Sequence, residues 1–194
     1  SHSYHNSIEN FSKMGIEVDR PTVNWNKMLS YKESMIEDNT KGIEFLFKKN
    51  KITLINGWAN FVDNNTITVD GKNYEADHFV IASGSEATSL NNVKFDEKVI
   101  VSSTGALELK KIPEKMIVVG AGVIGLEMGS IYSRLGTEVT VIEFYDKVLN
   151  GMDHDISKNF KTILKKQGFK FHLSCSVSMI TKEEKGVKVT YEQR

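Results

Sequence analysis

The chain has 194 residues, 40% of them hydrophobic and 26% charged, with Lys+Arg and Asp+Glu equal at 25 each. That length allows one or two domains, and the composition excludes a disordered or collagen-like chain. A formal net charge of zero lacks the electrostatic footprint expected of a protein whose main partner is nucleic acid or an anionic membrane.

No apolar run approaches the roughly 20 residues needed to cross a bilayer. The opening Ser1-His2-Ser3-Tyr4-His5 is polar and has no signal-peptide core, so a soluble chain is expected. The single cysteine, Cys175, cannot form an internal disulfide, which favours a reducing compartment, cytosolic or matrix-like.

Residues 1–20 show no clear period, and Pro21 is placed to start the next element. Over 24–49 the residues Trp25, Met28, Leu29, Met35, Ile36, Ile43 and Leu46 recur at spacings of three, four and seven. The pattern predicts a long helix with this stripe on a core and with Lys32, Glu33, Glu37, Asp38 and Lys41 on its wet face. A Met and Trp stripe at helical spacing reads as packing before it reads as a ligand site.

A strand-rich segment comes next. Alternation of apolar and polar residues predicts short strands near 52–55, 58–62, 66–69 and 72–74, an antiparallel meander. Turn signals stand at Asp63-Asn64-Asn65 and at Asp70-Gly71. Residues 78–83, His-Phe-Val-Ile-Ala-Ser, are more continuously apolar, as a strand buried on both faces would be. A short helix is expected near 104–109, and Pro113 introduces the next strand. Beyond it the pattern predicts a helix over 155–167, begun by Asp153 and Asp155 as caps, then a strand in Phe-Lys-Phe-His-Leu-Ser. A terminal hairpin closes the chain, its charged run Lys182 to Lys185 forming a solvated turn.

The most informative stretch lies between. Strand 115–119 runs into Gly120-Ala121-Gly122-Val123-Ile124-Gly125, a helix is predicted over 126–135, and strand 138–142 ends at Glu143. Each glycine has its own reason: the first permits the tight turn, the second lets a diphosphate approach bare backbone, and the third lets helix and strand pack closely. The N–H groups at a helix start then face the phosphates, and the helix dipole favours their charge. Glu143 lies 18 residues past Gly125, where a carboxylate accepts both adenosine-ribose hydroxyls and repels a 2′-phosphate, which selects NAD(H) over NADP(H). The competing reading is a plain βαβ unit whose glycines serve packing alone. G-x-G-x-x-G is weak by itself; here strand, helix and acid all fall where the mechanism needs them.

Residues 80–90, 101–144 and 155–171 closely resemble the dihydrolipoamide dehydrogenase family, a branch of the flavoprotein disulfide reductases, and the resemblance covers essentially the whole chain. It implies an α/β protein: a Rossmann-like NAD-binding domain at 113–194, truncated at its C-terminal end, joined to the later part of an FAD-binding domain at 1–112. It implies that the intact protein oxidises protein-bound dihydrolipoamide and reduces NAD+ through a redox-active cysteine pair and FAD. Gly120, Ala121, Gly122, Val123, Ile124, Gly125, Leu126 and Glu127 would then wrap the NAD diphosphate, Glu143 would hold the ribose, and Val177 would lie near the adenine. Ala82-Ser83-Gly84-Ser85 matches the family's Ala-Thr-Gly-Ser, so Ser83, Gly84 and Ser85 would approach FAD, and Ala59 would offer it a backbone contact.

The chain departs from the family in three ways. Ser83 replaces the usual threonine but keeps the hydroxyl. The FAD-diphosphate glycine loop and the C-x-x-x-x-C pair, expected before Ser1, are absent from the sequence. So is the interface domain with its acid–base His-Glu pair, expected after Arg194. The chain is therefore expected to hold no catalytic residue and not to catalyse alone, since a disulfide relay needs its second sulfur. The implied partners are a lipoyl-bearing protein of a 2-oxoacid dehydrogenase complex and a second copy of the intact protein. The implied compartment is a bacterial cytoplasm or a mitochondrial matrix. A sister reductase with another disulfide substrate and a non-catalytic nucleotide-binding module stand as alternatives.

The remaining candidates read as bland. Cys175 has no partner sulfur, and His2, His5, His78, His154 and His172 lack metal-ligand spacing. Glu127 reads either as a charge that complements the helix dipole or, by the resemblance, as a contact to the nicotinamide side of NAD.

Overall fold

A computed structural model of the chain describes residues 1–19, 21–91 and 93–194. In chain order the elements are α1 (His2–Glu9), a 3-10 turn (Ser12–Met14), α2 (Trp25–Lys49), β1 (Ala59–Phe61), β2 (Thr66–Val69), β3 (Lys72–Glu75), α3 (Ser103–Ala106), β4 (Lys115–Val119), α4 (Val123–Ser133), β5 (Glu138–Ile142), α5 (His154–Lys166), β6 (Lys170–His172), β7 (Cys175–Glu183) and β8 (Gly186–Gln193). Contacts divide them into two units, one of Ser1–Leu29 with Ala87–Arg194 and one of Ser30–Glu86.

The first unit is built on a parallel sheet in the order β4-β5-β6, with Val118 beside Val141 and Ile142 beside His172. Helices α4 and α5 are the crossovers that a parallel sheet requires. Ala121, Leu126, Val139, Val141, Val148, Leu149, Leu164 and Phe169 form its core. Ser102 caps α3 and Asp153 caps α5; each side chain accepts two backbone N–H bonds. Asp155 lies inside the first turn of α5 and is not a second cap. Tyr132, 1% exposed, donates its hydroxyl to the Ala106 carbonyl and meets the Trp25 ring at 5.9 Å. The Trp25 indole N–H donates to the Leu109 carbonyl at 2.7 Å. β7 and β8 pair antiparallel with an irregularity between Val177 and Met179.

The second unit holds the antiparallel sheet β1-β2-β3. Asp70 and Gly71 both have positive φ, 49° and 79°, as the two-residue β2–β3 hairpin demands. Asp63 accepts the Asn65 N–H at 2.8 Å in the preceding turn.

Several expectations need correction. Residues 52–55 form no strand, so the meander has three strands rather than four. Residues 78–83 form no strand either, with Val80 91% and Ile81 77% exposed. A strand buried on both faces needs a neighbour to pair with and a layer over each face, and the described residues of this unit supply neither. The α2 stripe has the predicted phase, but Met35, Ile36, Ile43 and Leu46 are exposed and no residue of the helix is buried; the unit's one small sheet offers no apolar layer to cover it. The helix α1 was not legible in residues 1–20. Lys182 and Glu183 belong to β7 rather than a turn, and Lys182 pairs with Asp96 at 2.6 Å. No helix among the described residues is long and apolar enough to cross a membrane.

Candidate nucleotide site at the glycine turn

β4 ends at Val119 because Gly120 leaves the sheet at φ 98°, a backbone open to glycine and closed to most side chains. The Gly120 N–H still donates to the Ile142 carbonyl at 2.8 Å, so the turn begins as a continuation of the sheet edge. Ala121 is buried, and its carbonyl accepts the Leu149 N–H at 2.9 Å. Gly122 is the N-cap of α4, in an extended conformation with φ −77°.

The three glycines of the motif meet different surroundings. Gly120 makes the turn. A Cβ on Gly122 would meet no heavy atom within 4 Å, so the space above it is open. A Cβ on Gly125 would lie 2.8 Å from the Gly120 carbonyl oxygen and 2.9 Å from Val118 Cγ1, so α4 can sit this close to β4 only without one. Gly129, which sequence reasoning passed over, does the same one turn later: its Cβ would stand 3.0 Å from Phe169 and 3.2 Å from Val139. The signal was available, since Gly129 comes one helical turn after Gly125.

Helices α3 and α5 are capped by side chains; α4 is not, and its first turn holds no acid. The first N–H groups of a helix have no partner within the helix, and with the dipole they make an anion-receiving end. Val123 and Ile124 are exposed beside it. Leu126 lies in the core instead of at the surface. Glu127 is exposed in the second turn, beyond the first-turn positions where a charge complements the dipole, which corrects that reading of it.

Glu143 stands one residue past β5 and is 7% exposed. Its Oε2 accepts the Ala121 N–H and its Oε1 accepts the Tyr145 N–H at 2.8 Å. Its backbone is fixed as well: its N–H donates to the His172 carbonyl at 2.8 Å, and its carbonyl accepts the Cys175 N–H at 2.9 Å. The acid and the glycine turn are therefore in direct contact. Tyr145 and Leu149 were not singled out in the sequence, because a backbone N–H leaves no trace in residue type. Val177 is half-buried in β7, two residues past Cys175 and opposite Tyr191, whose hydroxyl lies 3.1 Å from His172 Nδ1. Arg194 lies over the Phe144 ring at 4.1 Å.

Ala59, Ser83, Gly84 and Ser85 are all in the other unit and all exposed; Ala59 opens β1 and Gly84 has φ 75°. Cys175 is buried, with its thiol 3.3 Å from the Leu173 carbonyl. No group of three or more metal-ligating side chains exists among the described residues. An open cleft of about 620 Å³ beside Trp25, Lys110 and Lys111 includes no residue of the turn.

The sequence signature of the family described as pyridine nucleotide-disulphide oxidoreductase matches residues 3–194. Dihydrolipoyl dehydrogenase 1, mitochondrial, of Arabidopsis thaliana is 45% identical over 99% of this chain and 39% of its own length. Leghemoglobin reductase of Vigna unguiculata is 45% identical over 99% of this chain and 38% of its own. The crystal structure of LpdA from Mycobacterium tuberculosis superposes with a TM-score of 0.86 at 22% identity, over 97% of this chain and 43% of that one, a likeness of fold. The chain thus spans about two fifths of the length of the curated relatives it matches.

Proposed function

We propose a function from one premise: the chain belongs to the pyridine nucleotide-disulphide oxidoreductase family. Its glycine turn and α4 receive the diphosphate of NAD(H), with Gly120, Ala121, Gly122, Val123, Ile124 and Gly125 at the turn and Leu126 and Glu127 behind it. Glu143 holds the adenosine ribose: a carboxylate offers about four acceptor positions, and only one on each oxygen is taken by backbone. Val177 lies toward the adenine. The observation that carries this reading is the uncapped start of α4 beneath open space at Gly122, with an acid bonded to the same turn.

Residues 113–194 form the NAD-binding domain and residues 1–112 the later part of an FAD-binding domain, where Ala59, Ser83, Gly84 and Ser85 approach the flavin. The exposed serines offer hydroxyl donors, and Gly84 offers backbone in a conformation a side chain disfavours. The intact protein oxidises protein-bound dihydrolipoamide and reduces NAD+. Bound flavin supplies the two-electron relay between a dithiol and the nicotinamide. What this chain's residues do is bind and orient the dinucleotide, and the chain alone is not competent for turnover. The lipoyl group is carried by a protein of a 2-oxoacid dehydrogenase complex, the intact protein is a homodimer, and its compartment is the mitochondrion, as named for the Arabidopsis relative.

Gly122→Ala tests the site. Its φ suits any residue and its Cβ meets nothing, so stability changes by less than about 1 kcal/mol. NADH affinity falls about tenfold if the diphosphate lies against that backbone. Unchanged NADH affinity would remove the diphosphate reading. The equal identity of the Vigna leghemoglobin reductase favours a second reading, a sister reductase. Turnover of dihydrolipoamide against other electron-accepting or donating substrates in the intact protein separates the two.

A further inference from the structure

Glu143 is more deeply engaged than a ribose ligand needs to be. It is 7% exposed, and both carboxylate oxygens accept backbone N–H groups, one from the glycine turn and one from the segment after β5. Ala121 is 1% exposed. A buried N–H without a partner is costly, and the Glu143 carboxylate is the group that satisfies this one. Ala121 is also held from the other side, where its carbonyl accepts the Leu149 N–H. Gly120 and Gly122, which flank Ala121, have no side chain to anchor them.

We propose that Glu143 is a positioning residue for the turn: its carboxylate holds the Gly120–Ala121–Gly122 backbone in its receiving shape before any nucleotide binds. The inference rests on the dinucleotide reading above and adds a second job to the acid. Selection of the ribose and preorganisation of the diphosphate cradle then depend on one side chain. Substitution by glutamine keeps the size, but its amide nitrogen cannot accept a hydrogen bond, so one of the two N–H groups is left facing a donor or the side chain must turn away.

The test uses the intact protein and two probes, ADP and 2′,3′-dideoxy-ADP. The dideoxy probe keeps the diphosphate and removes both ribose hydroxyls. In Glu143→Gln, affinity for dideoxy-ADP is expected to fall about tenfold, because the cradle has lost its brace. If the wild type binds the dideoxy probe and Glu143→Gln binds it equally well, the acid acts on the ribose alone and the proposal is overturned. If the wild type binds neither probe, the dinucleotide reading itself fails, a distinct result. A second measurement needs no variant to fold. In nucleotide-free wild-type protein, the Ala121 amide should exchange with solvent at least about tenfold more slowly than those of Val123 and Ile124. Equal exchange rates would also overturn the proposal.

Discussion

Gly122 and Gly125 stand three residues apart and meet opposite demands. Above Gly122 there is room for a ligand; at Gly125 there is no room for a methyl group. The contrast predicts different outcomes for one chemical change. Gly125→Ala forces its Cβ against the Gly120 carbonyl and Val118, so either α4 shifts from β4 or the turn deforms. We expect a loss of about 1–3 kcal/mol together with weakened NADH binding, measured by thermal unfolding and titration. Gly122→Ala separates the two effects, losing binding without stability. A Gly125→Ala protein of wild-type stability would show that the helix is not held so closely against the strand. At Glu143 the residue type was readable as an acid after a strand, but its grip on Ala121 was not, because its partner is main chain.

At the level of elements, the strands around the turn were legible to the residue, whereas α4 starts at Val123, three residues before its predicted start, because the last glycine of the motif already belongs to its first turn. β4 and β5 fall where apolar runs predicted them, and α5 where its periodicity did. Their cores are local: strand, helix and next strand succeed one another between Lys115 and Ile142 and bury one another. Residues 52–55 and 78–83 failed for the complementary reason, since a strand's burial belongs to its neighbours and none is described beside them. The Asp96–Lys182 bridge was hidden because it joins positions far apart in the chain. Asp96 is held well below the usual carboxylate range, first by the Lys182 ammonium and then by N–H bonds from Val99, Lys98 and Ile100. A carboxyl whose folded pKa is lowered adds stability above its unfolded pKa and loses it as pH falls through the folded one. Asp96→Asn should therefore unfold at a lower temperature than wild type at pH 7, and the difference should shrink as the pH drops below about 4. Melting curves of both proteins across that range check it; a difference that grows in acid would refute the assignment.

For the whole chain, burial is distributed unevenly. The parallel sheet and its helices hold the core cluster, whereas among the described residues of 30–86 only Val69 is buried. Amides with few apolar contacts around them open more readily. In the 194-residue chain the amides of β1, β2 and β3 should therefore exchange on the order of tenfold or more faster than those of β4 and β5; hydrogen exchange read by mass spectrometry decides it, and equal protection would mean that 30–86 is stabilised by something other than apolar burial. Cys175 sits in the better-packed unit. It is the chain's one sulfhydryl, it is sealed from solvent, and its amide is bonded to the carbonyl of the acid at the turn. A chromogenic thiol reagent added to this chain consequently has a single target, reachable only while that corner breathes. Colour development becomes a clock for the corner's opening, and saturating NADH should slow the clock.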